Sequence, residues 1–360
     1  MLRVFEAFAG YGSQRTALKN IGVDHEVVGI SEIDGDAILS YAAIHNNLKE
    51  EIKINHQESM EGMQKYLEKI NVPLDYKTFE NKATKLKGTK LNNMYIANKI
   101  SKNYGDIRCI QPELLPDFDF FTYSFPCQDI SVAGYQNGLD KDSGTRSSLL
   151  WECCKIIEYK KPKILMMENV KNLIGKNHKK DFEKFLNYLE SLGYTNHWSI
   201  LNARDFNVPQ NRERVFCISL LNDERTFEFP EPMELEVKIN DLLEREVDEK
   251  FYLKNNQVTD VPITQDYIYC LDSNYWKGTF LKDFLSKRRR QLVSGPKDEN
   301  GKYLSRRLTP LETWRFMGCS DEDFYRAKDF VSNTNLYRQS GNSIVIPVLE
   351  ELFKNLFLVS

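Results

Sequence analysis

Short apolar runs alternate with helical patterns through the first half of this 360-residue chain. Helical spacing over 16–21 and 37–44 follows the first two apolar runs. Four runs have the length of buried strands, and they are Leu2 to Phe8, Val27 to Ile30, Phe118 to Tyr123 and Ile164 to Met167. Such alternation of strand, turn and helix predicts a doubly wound α/β sheet. Functional residues are then expected at the carboxyl ends of the strands.

The composition excludes several classes of protein. A net charge of −3 excludes a chain that is basic throughout. No apolar run approaches the roughly 18 residues of a membrane-spanning helix, and Glu6 lies where a signal peptide would be apolar. The seven cysteines form no CxxC pair and the five histidines are scattered, which disfavours disulfides and metal sites. We therefore expect a cytoplasmic protein without a metal or a membrane partner.

Three segments depart from the alternating pattern. Residues 46–104 are rich in Lys and Asn and have helical spacing over 60–70 and 91–100, which predicts a mostly helical insertion, solvated on the surface. Residues 221–250 have eleven acidic and four basic side chains, whereas 276–315 have eleven basic and four acidic ones. A basic stretch with nearby aromatic residues is typical of a surface that binds nucleic acid, and a solvated charged face is the alternative.

A glycine pair follows the first predicted strand, in the sequence FAGYGS over 8–13. Glycines allow a tight turn and a close approach of the backbone to a ligand. The pattern is a poor dinucleotide fingerprint, because Arg15 occupies the position of its third glycine, and an ordinary turn remains the alternative. Glu32 follows the second strand, where an acid can accept hydrogen bonds from ribose hydroxyls or cap a helix.

Polar side chains also follow the later strands. Cys127 comes after the third strand and is a candidate nucleophile, although a lone cysteine is more often inert. Glu168 ends the fourth strand, at the same edge of a parallel sheet, and could also be a capping acid. Arg212 and Arg214 alternate on an extended segment and are expected to point together, toward an anion or into surface ion pairs.

Taken in order, these motifs resemble the DNA cytosine-5 methyltransferases. The matching sequences are FAGYGS, SEID, FPCQ, ENV, QNRER, RRLTPLE and GNSIVIP, within 1–45, 105–220 and 303–360. The chain is most similar to bacterial, mycoplasma-like members that carry a helical insertion after the second strand. Ser13 replaces a third glycine of many relatives, and 221–302 lacks their Thr-Leu-Thr element.

The resemblance implies a Rossmann-like catalytic sheet that binds S-adenosylmethionine. Glu32 is then implied to bind the ribose, Ile33 the face of the adenine and Asp106 its amino group. The GNSI sequence over 341–344 is implied to close the methionine end. The implied cofactor residues are Phe8, Ala9, Gly10, Tyr11, Gly12, Ser13, Glu32, Ile33, Asp106, Ile107, Phe125, Pro126, Asn342, Ser343 and Ile344.

The resemblance also implies the catalytic groups. Cys127 is implied to add to carbon 6 of a flipped-out cytosine, which makes carbon 5 nucleophilic. Glu168 is implied to bind the cytosine, Arg214 its carbonyl oxygen, and Arg212 a phosphate or the site itself. Residues 128–147 resemble a loop that closes over the base. Our expected DNA contacts are Gln128, Ser131, Arg288, Arg289 and Arg290.

The implied organisation has a catalytic domain over 1–220, with the insertion at 46–104, and a target-recognition domain over 221–302. Residues 303–360 are implied to return to the catalytic domain. We expect a monomer that binds double-stranded DNA, with a cognate restriction endonuclease as a candidate partner. The rivals are an RNA cytosine methyltransferase of the same fold and a catalytically inactive DNA-binding relative. Methylation of tRNA would favour the first rival, whereas intact Cys127, Glu168 and Arg214 argue against the second.

Overall fold

The computed structural model describes residues 1–54, 58–75, 78–126, 149–223, 226–254 and 257–358. Three residues expected to act at the site lie outside these ranges, namely Cys127, Gln128 and Ser131. In the described ranges, no helix combines the length and the apolar character that crossing a membrane requires.

Strands and helices alternate through the first half, as the hydrophobic pattern predicts. The strands are β1 (Leu2–Ala7), β2 (His25–Ser31), β3 (Phe120–Tyr123), β4 (Ile164–Val170), β5 (Tyr194–Asn202), β6 (Gln210–Asn211), β7 (Glu213–Leu221), β8 (Val258–Thr259), β9 (Ile268–Tyr269), β10 (Leu292–Lys297) and β11 (Tyr303–Arg307). The helices are α1 (Ser13–Asn20), α2 (Gly35–His45), α3 (Leu48–Glu51), α4 (Met60–Lys69), α5 (Gly88–Ile100), α6 (Leu149–Lys160), α7 (Lys179–Ser191), α8 (Ile239–Leu242), α9 (Leu281–Lys287), α10 (Pro310–Arg315), α11 (Asp321–Lys328), α12 (Asn333–Asn342) and α13 (Ile346–Phe357).

A six-stranded sheet with the order β2-β1-β3-β4-β7-β5 forms the centre of the first half. Strand β1 pairs in parallel with β2 and β3, and β3 pairs in parallel with β4. Strand β7 pairs antiparallel with β4, so the sheet is mixed rather than wholly parallel. The apolar pattern of β7 predicts a buried strand but carries no information on its direction.

Helices cover both faces of this sheet. Neighbouring side chains of a strand point to opposite faces, so two adjacent residues of β3 contact different helices. Phe121 of β3 belongs to a core cluster with Cys153 of α6 and Phe185 of α7. Its neighbour Phe120 packs edge-on against Phe353 of α13, with ring centroids 5.6 Å apart. The predicted doubly wound α/β architecture is therefore confirmed.

The chain divides into two compact units. The first comprises Met1–Leu201, Glu213–Pro230 and Glu350–Ser360, and the second comprises Asn202–Arg212 and Glu231–Leu349. Residues 303–349, which were expected to return to the catalytic domain, belong to the second unit. Division into compact units does not test which residues recognise DNA, so the predicted domain roles stay predictions.

Packing within the second unit explains why 303–349 belong to it. Tyr275 packs against Tyr337, with ring centroids 5.6 Å apart, and the Tyr337 hydroxyl donates to the carbonyl oxygen of Leu308. Arg306 and Glu312 form a buried ion pair through two hydrogen bonds of 2.8 Å. Arg306 was counted in the basic stretch 276–315, but its buried charge is already compensated and does not face solvent.

The insertion over 46–104 includes α3, α4 and α5, and it is only partly solvated. Leu67 of α4 and Ile96 and Ala97 of α5 are almost completely buried. Lysines of these helices, such as Lys65 and Lys99, are exposed on the opposite face. The expectation of a solvated excursion therefore describes one side of the insertion, while its other side packs into the first unit.

Candidate functional site

The ends of the parallel strands bring four candidate segments to one edge of the first unit. The segment that begins at Phe8 follows β1, Glu32 follows β2, and Phe125 follows β3. Glu168 lies near the end of β4, one residue beyond Met167, which pairs with Tyr123 of β3. This is the edge at which open α/β sheets bind their ligands.

The glycine turn after β1 has a left-handed backbone at three positions. The φ angles of Phe8, Gly10 and Gly12 are 56°, 57° and 87°. A non-glycine residue at positive φ is strained, and such strain often marks functional sites. A Cβ atom at Gly10 would meet no atom within 4 Å, so the turn is open on that side. The other predicted members of this turn, namely Ala9, Tyr11 and Ser13, are buried.

Two side chains of α2 support the turn from the opposite side. A Cβ atom at Gly12 would lie 2.3 Å from Nε2 of His45 and 2.8 Å from Cε2 of Tyr41, so only glycine fits there. The imidazole Nε2 of His45 is also 3.1 Å from the carbonyl oxygen of Tyr11. Sequence reasoning missed both supports, although Tyr41 and His45 share one face of α2 by their i, i+4 spacing.

A buried carboxyl group lies beneath this support. The Tyr41 hydroxyl donates to Oε2 of Glu6 at 2.7 Å, and Glu6 has no exposed surface. Burial raises the pKa of Glu6 to about 7, against the opposing effects of the Tyr41 hydrogen bond and the Arg15 charge. Burial and the same Arg15 charge lower the pKa of His45 to about 3, so the imidazole is neutral at pH 7.

Glu32 holds the glycine turn and the start of α2 together. Its Oε2 accepts from the backbone N–H of Gly10 at 2.9 Å, and its Oε1 accepts from those of Ile33 and Asp34 at 2.8 Å each. Burial and the neighbouring Asp34 raise the pKa of Glu32 to about 7, while the three N–H donors oppose that rise. Glu32 as a whole residue is partly exposed, although its carboxyl group is enclosed by these donors.

Asp106 is buried and held by two neighbours that the sequence did not point to. Its Oδ1 accepts from Nε of Arg108 at 3.0 Å, and its Oδ2 accepts from Nη2 of Arg108 at 2.5 Å. Asn71 donates to the same Oδ2 at 2.9 Å. Ile107, the next predicted cofactor residue, is buried in the core of the unit. The carboxylate of Asp106 is therefore fixed in place within the first unit.

The loop after β3 leads into Cys127, and its described part is anchored to β4. Phe125 is buried, and its carbonyl oxygen accepts from Nδ2 of Asn169 at 3.0 Å. Pro126 follows and is half-buried. Asn169 follows Glu168 in the ENV motif, and nothing in the sequence indicated that it anchors this loop. Cys127 itself lies outside the described residues, so its role stays a prediction.

Glu168 and Arg214 form an ion pair at the border between β4 and β7. Nε of Arg214 is 3.2 Å from Oε1 of Glu168, and their side chains are 16% and 8% exposed. The antiparallel pairing of β4 with β7 creates this contact, because it places Arg214 opposite Val170. An anion-binding and an acid–base group are thus brought together beside the loop that leads to Cys127.

Arg212 has different partners from Arg214. It is buried, and its guanidinium donates to the carbonyl oxygens of Leu271 at 2.8 Å, Gly341 at 3.0 Å and Ser343 at 2.6 Å, all in the second unit. The expectation that Arg212 and Arg214 point together is therefore wrong. Strand β6 ends before Arg212 and β7 begins after it, so the two-residue periodicity does not run through this position.

The GNSI sequence is fixed by close backbone packing within the second unit. A Cβ atom at Gly341 would lie 2.3 Å from the backbone of Asp272 and Ser273, so the position requires glycine. The neighbouring Ile344 is buried, whereas Asn342 is exposed. A role for Asn342, Ser343 and Ile344 at the cofactor stays a prediction.

The expected DNA contacts of the second unit lie where α9 ends. Arg288 is exposed and has a φ of 50°, and Arg290 has a φ of 55°. Nη2 of Arg289 lies 3.6 Å from Oδ2 of Asp272, and Nη1 of Arg290 donates to the carbonyl oxygen of Gly278. Neither partner lies in the acidic segment 221–250.

The described residues contain no group of three or more His, Cys, Asp or Glu side chains that could hold a metal ion. The edge of the first unit instead combines an open glycine turn, buried carboxylates and an ion pair. Such an arrangement suits an organic ligand that carries hydroxyl and amino groups. The carboxyl group and the arginine of the ion pair can bind a heterocyclic base.

Comparisons with known proteins identify the family of the chain. The family model for C-5 cytosine-specific DNA methylases matches residues 59–358. The chain is 72% identical over 357 residues to the Type II methyltransferase M2.ScrFI of Lactococcus lactis subsp. cremoris, over 99% of each chain. It is 34% identical over 381 residues to the orphan methyltransferase M.SssI of Spiroplasma monobiae, over 98% of this chain and 96% of that protein.

A solved structure supports the fold. The Dnmt2 methyltransferase of S. pombe superposes with a TM-score of 0.67 and 18% identity, over 99% of both chains. The family model and the two relatives also confirm the resemblance and the enzyme class that the ordered motifs indicated. The chain belongs to the C-5 cytosine-specific DNA methylase family and is a DNA (cytosine-5-)-methyltransferase.

Proposed function

We propose that this enzyme transfers a methyl group from S-adenosylmethionine to carbon 5 of a flipped-out cytosine in a specific duplex DNA sequence, through a covalent adduct with Cys127. The observation that carries the proposal is the buried Glu168–Arg214 ion pair, which lies at the sheet edge that also bears the glycine turn. An acid and a guanidinium so placed can bind the ring nitrogen and the carbonyl oxygen of one cytosine.

The residues after β1 and β2 fit S-adenosylmethionine. The turn at Gly10 leaves room where a side chain would stand, and the carboxylate of Glu32 is fixed by three N–H donors. A carboxylate in this position can accept the ribose hydroxyls, and Asp106 can accept the adenine amino group. The bound cofactor supplies the electrophilic methyl group.

The residues of the chain then act on the cytosine. The Cys127 thiolate adds to carbon 6, and the electron pair of the carbon 5–carbon 6 double bond moves toward the ring nitrogen and carbonyl oxygen. Glu168 in its protonated form gives its proton to the ring nitrogen, and Arg214 donates to the carbonyl oxygen, so the developing charge is neutralised. After carbon 5 has gained its methyl group, the ring nitrogen returns its proton to Glu168. A base from solvent then takes the proton of carbon 5, whose electron pair reforms the carbon 5–carbon 6 double bond and expels the Cys127 thiolate. Arg212 fixes the backbone of Ser343 within the second unit.

We further propose that residues 221–302 form the target-recognition domain; 231–302 of this range belong to the second unit, whereas 221–230 belong to the first. Arg288, Arg289 and Arg290 supply positive charge at the end of α9, and Gln128 and Ser131 supply contacts near the flipped base. The relative from Lactococcus is named a Type II methyltransferase. On that ground we propose that the enzyme belongs to a restriction–modification system, with a cognate endonuclease acting on the same sequence. We also propose that it is a cytoplasmic monomer.

Bisulfite sequencing of DNA from a methylation-free host that expresses the protein tests the proposal. One short sequence context should be protected from conversion in the wild type and unprotected in a Glu168→Gln variant. Purified protein should methylate duplex DNA and leave tRNA unmethylated. Protection of tRNA cytosines with unmodified duplex DNA would contradict the proposal and favour the RNA enzyme.

A further inference from the structure

The helical insertion contacts the candidate adenosine residues through its backbone. The N–H of Leu74 donates to the carbonyl oxygen of Ile33 at 3.1 Å, and the N–H of Asp106 donates to the carbonyl oxygen of Ile70 at 3.0 Å. Segment 70–75, between α4 and α5, is therefore hydrogen-bonded to two residues from different loops of the candidate cofactor site. A solvated excursion of the chain would not need these contacts.

The end of the insertion makes a third connection, at Glu32. Oδ1 of Asn103 accepts from the backbone N–H of Glu32 at 3.0 Å, and its Nδ2 donates to the carbonyl oxygen of Glu32 at 2.9 Å. Asn103 is buried, and its Nδ2 also donates to Oδ1 of Asn98 in α5. The insertion thus fixes the backbone of the residue that is proposed to bind the ribose.

A chain of side-chain amides ends on the Asp106 carboxylate. Nδ2 of Asn81 donates to Oδ1 of Asn71 at 3.0 Å, and Nδ2 of Asn71 donates to Oδ2 of Asp106 at 2.9 Å. The bond from Asn81 settles the orientation of the Asn71 amide, because its oxygen faces Asn81 and its NH2 group faces Asp106. Asn71 has a φ of 58°, a left-handed conformation that Asn tolerates better than most residues.

The close approach of the two loops explains the glycine before Asp106. A Cβ atom at Gly105 would lie 1.8 Å from the carbonyl oxygen of Ile70, and Gly105 has a φ of 77°. Glycine therefore lets the backbone of the insertion reach the N–H of Asp106. The same approach brings the neighbouring Asn71 within hydrogen-bond distance of the carboxylate.

We propose that segment 70–75 of the insertion is part of the cofactor site, in which Asn71 is a positioning residue that orients the Asp106 carboxylate toward the adenine amino group. The inference rests on the proposed function, because it takes S-adenosylmethionine as the ligand. Arg108 donates to both oxygens of the same carboxylate, and Asn71 adds a neutral donor to Oδ2 from the side of the insertion. Loss of the Asn71 donor should therefore reduce the selectivity for adenine, beyond any loss of folding stability.

The test compares two ligands on three proteins. Calorimetry would measure the Kd of S-adenosylhomocysteine and of its inosine analogue, which lacks the amino group of the base, on the wild type, on Asn71→Asp and on Asn71→Gly. Asn71→Asp places a second carboxylate against Asp106, and Asn71→Gly keeps the left-handed backbone without the amide. The wild type should prefer the adenosyl ligand, and both variants should lose at least about tenfold of that preference.

A matched control is Asn196→Asp. Asn196 donates to the carbonyl oxygen of Leu186 and accepts from Ser219, and neither partner is a candidate cofactor residue. Its selectivity should equal that of the wild type. If Asn71→Asp does not fold, Asn71→Gly alone decides the question.

The result also separates this inference from the proposed function. An unchanged preference in both folded Asn71 variants, with weakened binding in Glu32→Ala, would overturn the role of Asn71 and leave the cofactor site standing. A wild type that binds neither ligand, or a Glu32→Ala variant that binds as well as the wild type, would instead overturn the proposed cofactor site.

Discussion

The candidate cofactor edge of the first unit and the basic segment at the end of α9 hold their charged groups in opposite ways. Glu32 accepts from three backbone N–H groups, and Asp106 is held by Arg108 and Asn71. Arg288 is exposed, and Arg289 has a carboxylate partner 3.6 Å away at the surface. The first arrangement is preorganised for one ligand, whereas exposed arginines can adapt to many phosphate positions. Substitutions should therefore have large, local effects at the first region and small, additive effects at the second.

The largest effect is expected at Arg214. Arg214→Gln removes the partner of Glu168 and a donor to the developing charge, so turnover should fall by about 10²-fold or more, with cofactor affinity retained. Single-turnover methylation assays would measure it. The control is Lys171→Gln. Lys171 forms an exposed ion pair with Glu213, which precedes Arg214 in β7. Equal turnover in both variants would remove Arg214 from the catalytic groups.

Glu32→Ala should weaken the binding of S-adenosylmethionine by about 1–3 kcal/mol, because a charge-assisted hydrogen bond is lost. Calorimetry would measure the loss. Glu26→Ala is the matched control, since Glu26 lies on β2 and pairs with Lys102 at the surface. Tight binding of NAD by the wild type would contradict the methyltransferase interpretation of this turn.

The stability of the first unit should depend on Glu6 near neutral pH. Its pKa of about 7, above the ordinary value of 4.5, means that the folded state binds more protons than the unfolded state between those values. The free energy of unfolding should therefore decrease as the pH rises from about 5 to 7, by at most about 1.4 kcal/mol per pH unit for this group. Glu32 adds a change of the same sign. Urea unfolding at several pH values measures this change. The free energy of unfolding of Glu6→Gln should depend less steeply on pH than that of the wild type, and an identical pH dependence would contradict the raised pKa of Glu6.

The smallest effect is expected from the exposed arginines. If Arg288 and Arg289 contact phosphates, replacing both with Gln should weaken binding to cognate and random duplexes alike, and the salt slope should shrink by about one per lost contact. Arg326→Gln, in an exposed pair with Glu322, is the control. A loss confined to the cognate sequence would mean that an arginine reads a base edge, and an unchanged slope would leave the segment as a solvated surface.

The sequence predicted the features that depend on local pattern. The glycine turn, Glu32 and the four parallel strands follow from apolar spacing and from the freedom of Gly10 and Gly12. The direction of β7 does not follow, because an apolar run is the same read either way. The separation of Arg212 from Arg214 depends on a break between two strands, which the alternation of side chains does not encode.

The contacts of the insertion were also beyond the sequence. Asn71 and Asp106 are 35 positions apart, and their hydrogen bond depends on how closely the backbone of Ile70 approaches Gly105. A lysine-rich and asparagine-rich composition indicates solvent exposure on average, but it cannot identify the few asparagines that face inward. Three-dimensional packing supplies that information.

The central claim is covalent catalysis by Cys127, and trapping the adduct tests it most directly. The protein is incubated with S-adenosylmethionine and a duplex that carries 5-fluorocytosine at the target, because fluorine blocks the loss of the carbon 5 substituent that releases the enzyme. The wild type and Cys109→Ser, a variant at an exposed cysteine, should form a denaturant-stable adduct. Cys127→Ser should form none, since a serine hydroxyl is far less ionised than a thiol. Absence of an adduct with the wild type, or its persistence in Cys127→Ser, would contradict the account.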